Sequence, residues 1–168
     1  MDSYDVMCFL EYYQDRDTIT DPVSGLRIPT AQWQNFYQVA QTLSIDPDIA
    51  NPYSYLAFNP SGFGSCGADS LNDLTVDIAA LASIVDITET ALASDNLVIA
   101  SLYLQNGGQD QFDASSAFLV SRYIGSIMEA TITEIAVTWI VNPGINQLNA
   151  QVPTRKITVD MLDAVRVT

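Results

Sequence analysis

The run ATITEIAVTWIV, from Ala130 to Val141, constrains the fold more than any other stretch. Its odd positions, Thr131, Thr133, Ile135, Val137, Trp139 and Val141, turn apolar from Ile135 onward, while the even positions stay mixed. Successive strand side chains point to opposite faces, so the alternation predicts one long strand with a buried face carrying Trp139. Its β-branched and aromatic residues suit a pleated, half-buried surface. Twelve residues at about 3.3 Å each would span roughly 40 Å. Asn142-Pro143-Gly144 then supplies turn chemistry to end it.

A chain of 168 residues predicts a single domain, 1–168, large enough to bury a core without disulfides or metals. Residues 1–69 read as a helix- and loop-rich front half and 70–168 as a strand-rich half. The 48% hydrophobic content opposes disorder, which needs low hydrophobicity together with high charge. The longest apolar run, Leu97 to Leu104, is too short for a bilayer span. Asp2 and Asp5 stand where a secretory signal would carry Lys or Arg, so no targeting segment is expected. Cys8 and Cys66 form no CxxC and are expected as buried small hydrophobes.

Twenty acids oppose six bases, a net charge of −14. A surface that tracks phosphates needs clustered Lys and Arg, and only Arg155 and Lys156 are adjacent, so direct nucleic-acid binding is not expected. The acids are scattered singly, as on a solvated surface kept soluble by repulsion. Histidine is absent, which removes the side chain most used as a general base near neutral pH and the commonest metal ligand.

Along the chain, residues 4–13 alternate loosely and predict a strand. Thr30 is a helix N-cap by type, and Trp33, Phe36, Tyr37 and Ala40, with Leu43 one turn on, follow at helical spacing. That stripe predicts a helix whose apolar face joins the core. From Asp46 to Gly67, three prolines and three glycines predict a long loop carrying Tyr53, Tyr55, Phe58 and Phe63. Those four aromatics suit contact with a partner or packing over the domain's own core. Leu71, Leu74, Ile78, Leu81 and Val85 repeat at three-four spacing after Ser70-x-x-Asp73, predicting a helix to about Ala82. Ile84 to Leu92, rich in Ile, Val and Thr, predicts a strand. Leu97 to Gln105 predicts a strand buried on both faces, and Asn106-Gly107-Gly108 a hairpin turn. Ala117–Ile124 and Arg155–Thr168 complete the expected strands.

Gly62-Phe63-Gly64-Ser65-Cys66-Gly67 is a literal GxGxxG, with Asp86 nineteen residues beyond its last glycine. Asn59-Pro60-Ser61 separates it from any preceding strand, Asp69 and Asp73 would repel a pyrophosphate at the helix N-terminus, and βαβ units are missing downstream. A structural glycine-rich loop is therefore expected and no cofactor. The loop pairs Asp15/Asp17, Asp46/Asp48 and Asp110/Asp113 are the only metal candidates, as oxygen donors to a calcium ion held between subunits. Solvated loop acids are the plainer explanation. Glu129 and Glu134, five apart on the expected strand, would face opposite sides and form no catalytic dyad. Serine nucleophiles have neither a histidine nor a Ser-x-x-Lys to activate them. The residues thus point away from catalysis.

The fold class expected is mainly β: an antiparallel β-sandwich, of jelly-roll type, with one or two helices in the N-terminal half. From Ile84 to Thr168, with strands Leu97–Gln105, Ala117–Ile124, Ala130–Val141 and Arg155–Thr168, the chain resembles the single jelly-roll capsid proteins of viruses. The resemblance implies a shell-forming subunit without an active site. Its partners would be copies of itself and other virion structural proteins, and its location the virion, after assembly in the host cytoplasm. Capsid proteins that touch the genome often carry a basic N-terminal arm, whereas Met1 to Gln14 has only acids. That departure favours a shell over an inner membrane or another layer, or a decoration or tail component. The competing classes are a sugar-binding sandwich using Trp139 or the Tyr53/Tyr55 loop, and a nucleotide-dependent enzyme using Gly62–Gly67.

Overall fold

A computed structural model describes residues 4–20, 25–38, 52–63, 73–113 and 115–143. Eight strands form one sheet: β1 (Tyr4–Tyr13), β2 (Ala31–Gln34), β3 (Ser54–Tyr55), β4 (Phe58–Ser61), β5 (Leu74–Ala79), β6 (Leu97–Asn106), β7 (Phe118–Ile132) and β8 (Ala136–Pro143). The described residues include one α-helix, α1 (Ala82–Leu92), and a 3-10 turn at Arg16–Thr18. The fold is mainly β and rich in antiparallel pairs, as expected. None of the described helices is long and apolar enough to cross a membrane.

The strand order is β3-β2-β1-β6-β7-β8-β5-β4. β3 and β4 stand at opposite edges, yet only Leu56 and Ala57 separate them in sequence. The sheet must therefore curl until its edges meet. Leu56 N donates to Gln34 O at 3.0 Å and Ala79 N to Ala57 O at 3.1 Å, one bond toward each edge. Asn35 ties the same seam, accepting from Cys8 N at 2.8 Å and donating to Phe58 O at 3.3 Å. Closure also handles the usual hazard of exposed edges. Pro60, which has no N–H for a ladder, sits where a proline is tolerated, on an edge strand.

The curl brings distant strands face to face over one core. Trp139 of β8 lies 6.3 Å from the ring of Trp33 on β2 and 6.4 Å from Tyr12 on β1. Cys8, Leu10 and Tyr12, Val98 and Ala100, Val137, Trp139 and Val141, and Leu74, Val76 and Ile78 fill this inner core at alternating positions. α1 packs on the same side against β7, burying Ile84, Thr88 and Ala91, and Trp139 Nε1 donates to Thr88 Oγ1 at 2.8 Å. A second cluster lies on the outer face of β1 and β6, where Phe9 makes edge-on contacts at 5.0–5.6 Å with Tyr53, Tyr103 and Phe112. β1 and β6 are thus buried on both faces.

Several sequence expectations fail, each for a local reason. The strand expected over Ala130–Val141 is a hairpin: β7 ends at Ile132, β8 starts at Ala136, and Ile132 pairs with Val137. No glycine, proline or asparagine marks this turn. Thr133 closes it, its N–H and Oγ1 donating to Ala136 O at 2.8 Å while Oγ1 accepts from Ala136 N at 3.0 Å. The hairpin expected after Leu97–Gln105 does form, β6 pairing antiparallel with β7, but its connection is not a tight turn at Asn106-Gly107-Gly108: Leu104 pairs with Phe118, and Phe112 between them packs in the outer cluster. Helix and strand are exchanged between 74 and 92. Leu74, Val76 and Ile78 are buried at period two in β5, and Ile84, Thr88 and Ala91 at helical spacing in α1.

The helix expected from Thr30 is strand at Ala31–Gln34, and its later positions, Ala40 and Leu43, lie outside the described residues. Trp33 joins the inner core and Tyr37 the outer cluster, while Phe36 is 40% exposed, so the supposed stripe has no common face. Arg155–Thr168 also lies outside the described residues. Before residue 69 the described chain holds four of the eight strands and no α-helix.

Candidate functional site

The aromatics expected on one loop are divided by the sheet. Tyr53 is fully buried in the outer cluster, Phe58 is buried in the inner core and Phe63 packs against that core half-buried, leaving Tyr55 at 44% exposure. Tyr53 and Phe58 are therefore not contact residues, and the four do not form a patch. β3 and β4 pull alternate residues of this segment to opposite sides, which a reading of it as loop missed. Trp139 is 0% exposed, so it offers no face for a sugar to stack on, and Tyr53 offers none either.

Tyr53 has a structural task instead. Glu11, 1% exposed on β1, accepts from Tyr13 Oη at 2.6 Å on one carboxylate oxygen and from Tyr53 Oη at 2.9 Å on the other. Arg27 Nη2 stands 3.8 Å from Glu11 Oε1. A buried carboxylate is tolerable when it is paired and hydrogen-bonded in this way. Burial, followed by the Glu11 charge and its hydrogen bond, pushes the Tyr53 hydroxyl up, so it stays a donor. The only sequence signal was an acid inside the apolar run MCFLEYY, followed by two tyrosines.

Buried amides hold the loops to the sheet. Gln105 donates to Tyr37 Oη and Gln111 O, both at 3.1 Å, and accepts from Asp113 N at 2.9 Å. Asn96 donates to Ala91 O at 2.9 Å and Ile127 O at 3.2 Å and accepts from Ile127 N at 2.8 Å, joining the end of α1 to β7. Gln34 accepts from the N–H groups of Phe36 and Tyr37 and donates to Tyr37 O, turning the chain after β2.

The candidate metal ligands are occupied locally or lie elsewhere. Asp15 caps the 3-10 turn, accepting from Asp17 N at 2.9 Å. Asp113 accepts from Ser115 N at 2.9 Å and from Ser115 Oγ at 2.7 Å, and these bonds lower its carboxyl pKa. Asp110 is exposed, and Asp46 and Asp48 lie outside the described residues. Among the described residues no three His, Cys, Asp or Glu side chains come together as metal ligands would. Glu129 lies on β7 and Glu134 in the turn before β8, both exposed.

Gly62 follows β4 directly, so the expected gap between strand and glycines is absent. The next described element, however, is β5, antiparallel to β4, where a dinucleotide unit requires a helix leading to a parallel strand. A Cβ at Gly62, whose φ is +96°, would lie 2.5 Å from Asp73 O. That close approach and the left-handed backbone are enough to require glycine there. Cys8 is fully buried, and burial pushes its thiol up; Cys66 and Asp69 lie outside the described residues.

What the sequence reading missed is apolar surface along β7. Phe118, Leu119, Val120, Ile124, Met128 and Ile132 are 44–59% exposed, and Ile135 in the following turn is 85% exposed. Among the described residues, seven of the fourteen exposed large hydrophobics thus lie between 118 and 135, a concentration that single scattered residues would not produce. No carboxylate occurs from Ala114 to Met128. These apolar residues do not share one face. Phe118 and Ile132 pair with Leu104 and Val137 on the inner side, whereas Leu119 and Ile124 pair with Tyr103 and Ile99 on the outer side, which Thr138, Ile140 and Thr75 of β8 and β5 continue, all half-buried. Comparison with protein-family models, curated proteins and solved structures gives no match.

Proposed function

We propose that this chain is a non-enzymatic structural subunit that assembles with copies of itself and with other structural proteins, as a shell, decoration or tail component of a virion. The single observation that supports this most is the apolar exposure along β7, free of carboxylates from Ala114 to Met128, in a chain whose net charge is −14. A protein this acidic keeps its copies apart by repulsion, and a stretch without acids is where like copies meet at least cost. The closed seam between β3 and β4 directs association away from strand edges and toward this surface. The viral setting rests on the jelly-roll resemblance.

Salt shortens the range of repulsion, from about 10 Å at 0.1 M to about 3 Å at 1 M. Sedimentation across that range is expected to show mass rising with salt. Parallel runs with calcium test for ions shared between subunits. A chain that stays monomeric throughout, alone and with candidate partner chains, would remove the assembly reading.

A further inference from the structure

We infer that copies of this chain join head to tail, the β7–β8 hairpin tip of one seating on the open end of β1, β6 and β7 of the next. This rests on the assembly reading above and names its contact. At one end of β7, Phe118 pairs with Leu104 and Leu104 with Val6, so three strands present these side chains in one row on the concave face. Val6 is 54%, Phe118 52% and the neighbouring Tyr4 53% exposed. At the other end the turn holds Ile135 outward at 85%, with Ile132 at 44% and Leu81 at 50%. Ala80 N donates to Ile135 O at 3.1 Å, which fixes the tip beside Leu81. The two clusters are the ends of a fifteen-residue strand, up to roughly 46 Å apart.

Two like surfaces would pair about a two-fold axis, whereas two different surfaces on opposite ends give rings or filaments. The area decides how such a contact behaves. With ~200 Å² for a whole aromatic side chain and ~100 Å² for an aliphatic one, the two ends together expose on the order of 450 Å² of apolar surface. A stable isolated pair needs about 1,200–2,000 Å². One contact alone is therefore weak, and a copy held at both ends is the arrangement that persists. No carboxylate lies on β6 or on Phe118–Met128, and Asp5 of β1, between Tyr4 and Val6, turns to the opposite face and accepts from Gly108 N at 3.1 Å.

Complementation tests the polarity of the contact. Ile135→Asp removes the tip and Val6→Asp the receiving end, each at an exposed position; circular dichroism checks folding, and Phe118→Asp replaces Val6→Asp should the latter unfold. In ~1 M salt the wild type is expected to grow in mass with concentration, and each variant alone to stay monomeric. Their equimolar mixture should stop at two chains, since each retains one working end. Dimers from either variant alone would show a like-to-like contact and overturn the inference. So would variants that assemble as the wild type does, in which case self-assembly itself stands. A wild type that is monomeric at every concentration and salt removes both.

Discussion

The two halves of the sheet differ in what covers their outer faces. Around β1 and β6, aromatic loop residues lie over the outer side, so Met7, Phe9 and Tyr103 are as buried as the inner core. Around β7, β8 and β5 only the inner face is buried, and the outer positions Ile124, Glu129 and Asp77 remain exposed. Strand pairing does not explain the difference, since β1, β6, β7, β8 and β5 are each paired on both sides. Gln105 and Gln34 do, because each satisfies loop backbone that would otherwise go under the aromatics without partners. A sheet face is closed where buried side-chain amides make a covering loop affordable, and it stays open for contact elsewhere.

The largest effects should come from the doubly covered half and from the inner core. Phe9→Ala and Trp139→Ala are each expected to cost about 3–5 kcal/mol in denaturant melts, as large-to-small changes at buried sites. A cost under about 1 kcal/mol for Phe9→Ala would mean that the outer cluster is not a core and that the contrast fails. Next is the buried acid. Glu11→Gln places an amide against tyrosine hydroxyls that donate to both carboxylate oxygens, and should cost about 1–3 kcal/mol. An unchanged melting midpoint would show that the Tyr13–Glu11–Tyr53 network does not hold the cover.

Alkaline pH sharpens the comparison further. Cys8, Tyr12, Tyr37 and Tyr53 all belong to the doubly covered half, and burial first of all raises each above its ordinary value of 9.0 for Cys and 10.0 for Tyr. Above those values the unfolded chain releases protons that the folded chain retains, so the native state binds more protons and stability falls as pH rises. Below about pH 9 these groups contribute a constant amount. Melts from pH 8 to 11 should show the decline, and Tyr53→Phe should make it shallower; an equal slope in that variant would place the loss elsewhere. The smallest effect is expected on the open half. Ile124→Thr, at a half-exposed outer position, should change stability by under about 0.5 kcal/mol. A loss near 2 kcal/mol would mean that the open face is covered within the chain.

β1 and β6 were legible in the sequence because strands buried on both faces are apolar at nearly every position, as in MCFL and LVIASLYL. The 74–92 exchange was not, since Leu74 and Ile78 fit both a four-residue helical step and two strand steps. Neighbours decide between them. Val76 pairs with Trp139 across β8, which makes period two the correct reading, and Thr88 faces the same indole, its Oγ1 satisfied by Ile84 O at 2.6 Å. The apolar surface of β7 escaped notice because a half-exposed Phe or Ile looks like a core residue until the strand beside it is known.

The sequence by itself determined a mainly β chain, an inner face bearing Val137, Trp139 and Val141, and a net charge of −14. Alternation, side-chain type and net charge are local or additive properties, so no contact is needed to read them. Only the tertiary structure decided that Ala130–Val141 is a hairpin and that β3 and β4 close the sheet. It alone placed Tyr53 on a buried carboxylate and left β7 exposed. Each of these depends on pairings between residues far apart in the chain, where a hydrogen-bond partner or a covering loop changes the meaning of the same side chain.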